Sequence, residues 1–226
     1  MKRRFVLAAL PATLLTLTGA GKPKKPATAK SPPLPPLGDA VLVELVTEQG
    51  TIVIKLDHKR APLTVENFMR YVDSGRYNGM TFYRAMHLNW GTEPNGVLQG
   101  GLNHFPQRLM KPIAHEPTTV TGLTHKAGTL SMARNAPGTA TADFSILLSD
   151  LTSFDANPNG ADAEARAGYA AFGHVVSGMD VVRRIYDAKR SPTKGEGFMK
   201  GQMLDPQVKV IKVRRAPLVQ PAAPTK

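Results

Sequence analysis

From residue 40 to residue 216 the chain is written in short β-rich runs, each cut off by turn residues within a few positions. Val41–Val46 and Thr51–Leu56 are two such runs, and Glu48-Gln49-Gly50 supplies the turn of a hairpin between them. Others follow at Met80–Met86, Val97–Gln99, Thr129–Ala133, Phe144–Leu148, Ala170–Val176 and Val208–Val213. Two stretches carry helical spacing instead. Thr64 is placed to cap the first, with Val65, Phe68, Met69 and Val72 on one face and Gly75 ending it. Met179–Ala188 is the second, with Val182 and Ile185 toward the core. Many short strands and two separated helices predict an all-β closed antiparallel barrel, capped by a helix at each open end. There is no internal repeat.

The flanks are different in kind. Met1-Lys2-Arg3-Arg4 is basic, Phe5–Leu17 is apolar, and Thr18-Gly19-Ala20 is small, the order of a signal peptide over residues 1–20. The apolar run is shorter than the ~20 residues of a membrane span. The expectation is export to the periplasm or beyond, with no integral span after cleavage near Ala20; an uncleaved anchor is the alternative. Residues 21–39 are rich in Pro and Lys and end in Ser31-Pro32-Pro33-Leu34-Pro35-Pro36-Leu37. Proline lacks the amide donor and restricts its predecessor, so this segment is expected to be a disordered, extended linker. Residues 217–226 read as a disordered tail.

Charge divides along the same lines. The net charge is +12, but residues 1–40 hold seven Lys/Arg against one Asp, which is half of the excess. No nucleic-acid motif accompanies it, so nucleic acid is not expected as a partner. The chain has no cysteine, which excludes a disulfide framework, thiolate catalysis and cysteine zinc sites. Its six histidines show no His-x-x-x-His spacing and no Asp/Glu cluster around any of them, and there is no phosphate loop or dinucleotide fingerprint. Ser131 and Ser145 lack a nucleophile elbow. No metal and no cofactor is expected.

Two segments carry more. Phe82-Tyr83-Arg84 is followed by Val97-Leu98-Gln99-Gly100-Gly101, and Gly128-Thr129-Leu130-Ser131-Met132-Ala133-Arg134 by Ala142-Asp143-Phe144-Ser145-Ile146-Leu147. The Phe-x-Arg, Gln-Gly-Gly and Gly-x-Leu-Ser-Met-Ala strands resemble those of the cyclophilin family. Gly50-Thr51-Ile52, Thr64–Phe68 and Phe172–Val182 match it in the same order, so the resemblance runs from about residue 42 to 214. It implies an eight-stranded barrel with a proline-binding groove on its outer face, and peptidyl-prolyl cis-trans isomerisation of proline-containing polypeptides by a monomer. By this resemblance Arg84 is the catalytic group and Gln99 holds it and the substrate backbone. Phe82, Val97, Ala133, Arg134, Asn135, Asp143, Ser145, Phe154 and Tyr169 fall at groove positions.

The departures lie in the pocket. Fourteen residues separate Arg84 from Gln99, where the family usually has seven. The family's pocket phenylalanine falls on Gly96, a pocket methionine on Val97, a second aromatic on Ser145 and the groove histidine on Tyr169. Arg134-Asn135 replaces the usual Asn-Ala. Trp90, in the inserted loop, is the candidate to restore the missing aromatic wall. Two other readings suit the same residues: a catalytically weak binding module or chaperone for proline-containing segments, and an envelope scaffold.

Overall fold

The computed structural model describes residues 34–216. The leader, the linker up to residue 33 and the tail from 217 lie outside the described residues. Eight strands, β1 (Val41–Thr47), β2 (Gly50–Leu56), β3 (Thr81–His87), β4 (Gly96–Gly101), β5 (Thr129–Met132), β6 (Phe144–Leu147), β7 (Ala171–Ser177) and β8 (Met203–Arg215), close into one barrel. Every pairing is antiparallel, in the order β1-β2-β7-β5-β6-β4-β3-β8, with β8 returning to β1. Alternation decides which side chains fill it. In β1, Val43 and Leu45 are fully buried, and in β2 Ile52, Ile54 and Leu56, while the residues between them are partly or fully exposed.

Helices α1 (Pro62–Asp73) and α4 (Met179–Tyr186) bury one face each against this core. Phe68 of α1 meets Phe144 edge-on at 5.3 Å and Phe172 at 5.5 Å between ring centroids. Val182, Ile185 and Tyr186 of α4 are fully buried. Two short helices, α2 (Thr118–Thr121) and α3 (Ala163–Ala167), add to the two expected.

The start of α1 differs from the sequence reading. The helix begins at Pro62, whose missing N–H costs nothing in a first turn, so Thr64 lies inside it. The cap comes from 52 residues away. The buried Glu116 carboxylate accepts from Leu63 N (3.1 Å), Thr64 N (2.7 Å) and Thr64 Oγ1 (2.5 Å). Those are the amides that a helix start leaves without partners.

The linker boundary also moves. Residues 34–39, drawn into the linker by their prolines, run along the barrel. Leu37 packs on the core, Arg215 Nη1 donates to Pro35 O at 2.7 Å, and Lys59 N donates to Asp39 O at 2.9 Å.

Candidate active site

Strand β3 sets the site through a fault in its register. Pairing with both β4 and β8 shifts between Phe82 and Arg84, the mark of a β-bulge. Phe82 therefore points inward, fully buried and edge-on to Phe144 at 6.3 Å. Its expected place in the groove is corrected by that orientation. Tyr83 and Arg84, although adjacent, both face the same outer groove.

Across β4, β6 and β5 the register lines up Arg84 with Gln99, Gln99 with Ser145, and Ser145 with Ser131. This polar row lies on the barrel's outer face. Arg84 is 8% exposed, and Gln99 Oε1 accepts from its Nη1 at 2.8 Å. Gln202, just ahead of β8, accepts from Nε at 2.8 Å, and the Met86 sulfur lies 3.4 Å from Nη2. A guanidinium carries five N–H donors, so among the described residues these contacts leave two for a ligand. Burial pulls the Arg84 pKa down from its ordinary value, which leaves a poorly hydrated cation facing the groove.

The groove has a volume of about 560 Å³. It gathers Arg84, Gln99, Val97, Ala133, Arg134, Asn135, Asp143, Ser145, Phe154 and Tyr169, residues that chain order scatters over β3 to β7. Arg134 stacks on the Tyr169 ring, 4.6 Å from its centroid, and Nη1 donates to Glu164 at 2.7 Å. Its Nε is buried without a partner among the described residues. The Phe154 and Tyr169 rings lie 5.1 Å apart, fixed by a Tyr169 N to Phe154 O bond of 2.8 Å. Burial raises the Tyr169 phenol, and the Glu164 carboxylate adds to it.

Asp143 closes another side. Its Oδ1 accepts from Leu102 N at 2.6 Å and its Oδ2 from Tyr83 OH at 3.0 Å. Burial raises the Asp143 carboxyl above the usual range, against those hydrogen bonds. Burial, with the Asp143 charge, also lifts the Tyr83 phenol far above its ordinary value. The second glycine of Gln-Gly-Gly has its reason here. A Cβ on Gly101 would lie 2.1 Å from Asp143 Oδ1, and its φ is +143°.

Trp90 is not in the groove. The inserted loop is organised by Asn95, whose backbone N–H donates to Glu93 Oε2 at 3.0 Å and whose backbone carbonyl accepts from Tyr186 OH of α4 at 2.8 Å. This holds the loop but leaves the indole 58% exposed and outside the groove lining. What the loop contributes is Leu88, which packs with Met86 and Phe154 on Val97, Leu147 and Leu151 behind the groove wall. Gly96 cannot carry an aromatic, because a Cβ there would meet Met86 O at 1.9 Å.

The missing aromatic surface comes from a segment that sequence reasoning did not single out. Phe198, in a single 3-10 turn (Gly197–Met199), lines the groove with Met199 and Met203. The Phe198 ring centroid lies 5.3 Å from the Arg84 guanidinium carbon. Nothing in the local sequence marks Phe198 or Gln202. The signal is the β3–β8 pairing, which sets Arg84 opposite Met203.

A second cavity, of about 330 Å³, shares none of these residues, and its cations are already paired: Arg60 with Asp57 at 2.6 Å and Lys126 with Asp150 at 3.0 Å. Among the described residues no three His, Asp or Glu side chains converge as a metal would require, and no helix is long and apolar enough to cross a membrane.

Fold and site together define a closed eight-stranded β-barrel that presents a buried, amide-held arginine in an outer groove. The sequence profile of the family described as "Cyclophilin type peptidyl-prolyl cis-trans isomerase/CLD" matches residues 42–214. A peptidyl-prolyl cis-trans isomerase of Acinetobacter baylyi is 36% identical over 177 residues, 76% of this chain and 84% of that protein. Peptidyl-prolyl cis-trans isomerase B of Escherichia coli is 37% identical over 147 residues, 64% of this chain and 83% of its own length. A crystal structure of a cyclophilin type isomerase from Cryptosporidium parvum has the same fold, with a TM-score of 0.60 at 18% identity, covering 80% of this chain and 99% of that one. The chain belongs to the cyclophilin-type peptidyl-prolyl cis-trans isomerase family.

Proposed function

We propose that the protein accelerates rotation about X-Pro bonds of polypeptides bound in the groove, with Arg84 as the catalytic residue. Rotation faces a barrier of ~18–20 kcal/mol, because the nitrogen lone pair is delocalised into the carbonyl. As the bond twists, that lone pair localises on nitrogen and becomes a better hydrogen-bond acceptor. A fixed, always-charged donor stabilises the twisted state more than the planar one, which lowers the barrier. The observation that carries the reading is the geometry of Arg84: 8% exposed, held by two neutral amide oxygens, with two N–H bonds free of partners among the described residues. Rotation needs no nucleophile, metal or cofactor.

Val97, Met86 and Phe154 form the apolar wall for the proline ring, and Phe198 stands opposite at the rim. The order of basic, apolar and small residues at the N-terminus supports export, which would place the protein where newly secreted chains fold and slow X-Pro isomerisation limits them. An assay of cis–trans exchange in a proline peptide tests the activity. Peptide binding without acceleration would favour a holdase. Mass spectrometry of the protein from cells tests export, and an intact Met1 in the cytoplasm would refute it.

A further inference from the structure

Arginine has a long, flexible stem, and a catalytic guanidinium is only useful if its plane is fixed before substrate arrives. Gln99 alone fixes one nitrogen. The second contact, at Nε, comes from Gln202, which is 118 positions further along the chain. Two contacts on different nitrogens of a planar group set its orientation within the plane.

Gln202 is itself fixed. Its Nε2 donates to Phe198 O at 2.7 Å, which aims Oε1 at Arg84. Its carbonyl accepts from Ala85 N at 2.9 Å, and its own N–H donates to Met199 O at 3.1 Å. Phe198, 77% exposed, adds a cation–π contact to the same guanidinium.

The chemistry of the two acceptors is informative. A carboxylate would hold Arg84 as firmly but would cancel much of its charge in a site shielded from water. Amide oxygens orient the guanidinium and leave its field directed into the groove. We propose that Gln202 is a positioning residue for Arg84, fixing the guanidinium plane without discharging it. The proposal rests on the reading of Arg84 as the catalytic residue.

The test uses the full chain with Gln202→Met, which keeps length and backbone contacts but removes the acceptor, and with Gln202→Glu. Gln202→Met should lower kcat by about tenfold with KM nearly unchanged, a loss within the range that misplacing a reacting group produces. The Arg84 Nε–H should be slow to exchange with water in the parent and in Gln202→Glu, and fast in Gln202→Met. Gln202→Glu should still lose activity, because its carboxylate holds the group but neutralises it. Added to Arg84→Ala, Gln202→Met should cost nothing further, the coupling expected of a residue that acts only through another. Wild-type kcat in Gln202→Met, or an equal loss with and without Arg84, would overturn the positioning role while leaving Arg84 catalytic. Full activity in Arg84→Ala alone would instead refute the reading beneath it. If Gln202→Met fails to fold, Gln202→Glu decides: undiminished kcat would contradict the proposal, and a protected Nε–H with reduced kcat would support it.

Discussion

At the scale of single residues, the groove is assembled from side chains whose surroundings differ more than their types suggest. Phe198 and Trp90 are both exposed aromatics, yet only Phe198 stands beside the Arg84 guanidinium. Covering about half of a phenylalanine ring is worth about 1 kcal/mol, so Phe198→Ala should raise KM for a proline peptide by about fivefold. Trp90→Ala should leave KM unchanged, and the indole fluorescence should not respond to peptide. A titration of each variant with one peptide checks both, and a reversed outcome would return Trp90 to the groove. That Arg84, Gln99 and their neighbours share one groove was legible because they fall in ordered motifs. Trp90 misled because it is the chain's only tryptophan in an unusual insertion, and sequence does not say where a loop lands. Phe198 and Gln202 were illegible for the opposite reason. They reach Arg84 only after β8 closes against β3, a pairing between strands more than a hundred residues apart.

At the scale of elements, two local faults place the chemistry. The bulge in β3 turns Tyr83 and Arg84 to one side, where strict alternation would separate them. The sequence run therefore finds the strand, but it does not reveal the bulge that turns Phe82 into the core instead of the groove. The start of α1 shows the same limit. Thr64 has the residue type of a cap, and the true cap, Glu116, lies in a distant loop that no helix rule consults. Losing a capping carboxylate costs about 1–2 kcal/mol, which for a domain of this size lowers Tm by about 2–8 °C. Glu116→Ala should show that loss in a thermal melt, while kcat/KM at 25 °C stays near the parent value. An unchanged Tm would mean that solvent replaces the carboxylate at no cost.

The whole molecule joins these faults into one surface. The barrel was legible from strand number and length, since short alternating strands without a long helix have few closed solutions. Its polar outer row, from Arg84 through Gln99 and Ser145 to Ser131, continues into a buried histidine. His125 is fully buried, with Nε2 2.9 Å from Ser131 Oγ and Nδ1 2.6 Å from Asp155. Burial pulls its pKa below the ordinary 6.5, against the Asp155 carboxylate, which pulls it up. As pH falls below 6.5 the unfolded chain takes up this proton before the folded one. Stability is then complete above 6.5 and is lost as pH falls toward the folded pKa. His125→Gln should remove that part of the acid-side slope in a series of melts. A slope unchanged by the substitution would show that other groups set it.

The central claim is that a fixed guanidinium in the groove lowers the barrier to X-Pro rotation. Its most direct measurement is cis–trans exchange of one proline peptide with the parent protein, Arg84→Ala and Arg84→Lys, each confirmed folded by its melt. The account predicts that Arg84→Ala loses at least tenfold in kcat/KM, about 1.4 kcal/mol of transition-state stabilisation, while still binding peptide. Arg84→Lys should be nearly as poor, because an ammonium cannot reproduce the planar fork that Gln99 and Gln202 hold. Near-parental exchange rates in Arg84→Ala would contradict the account.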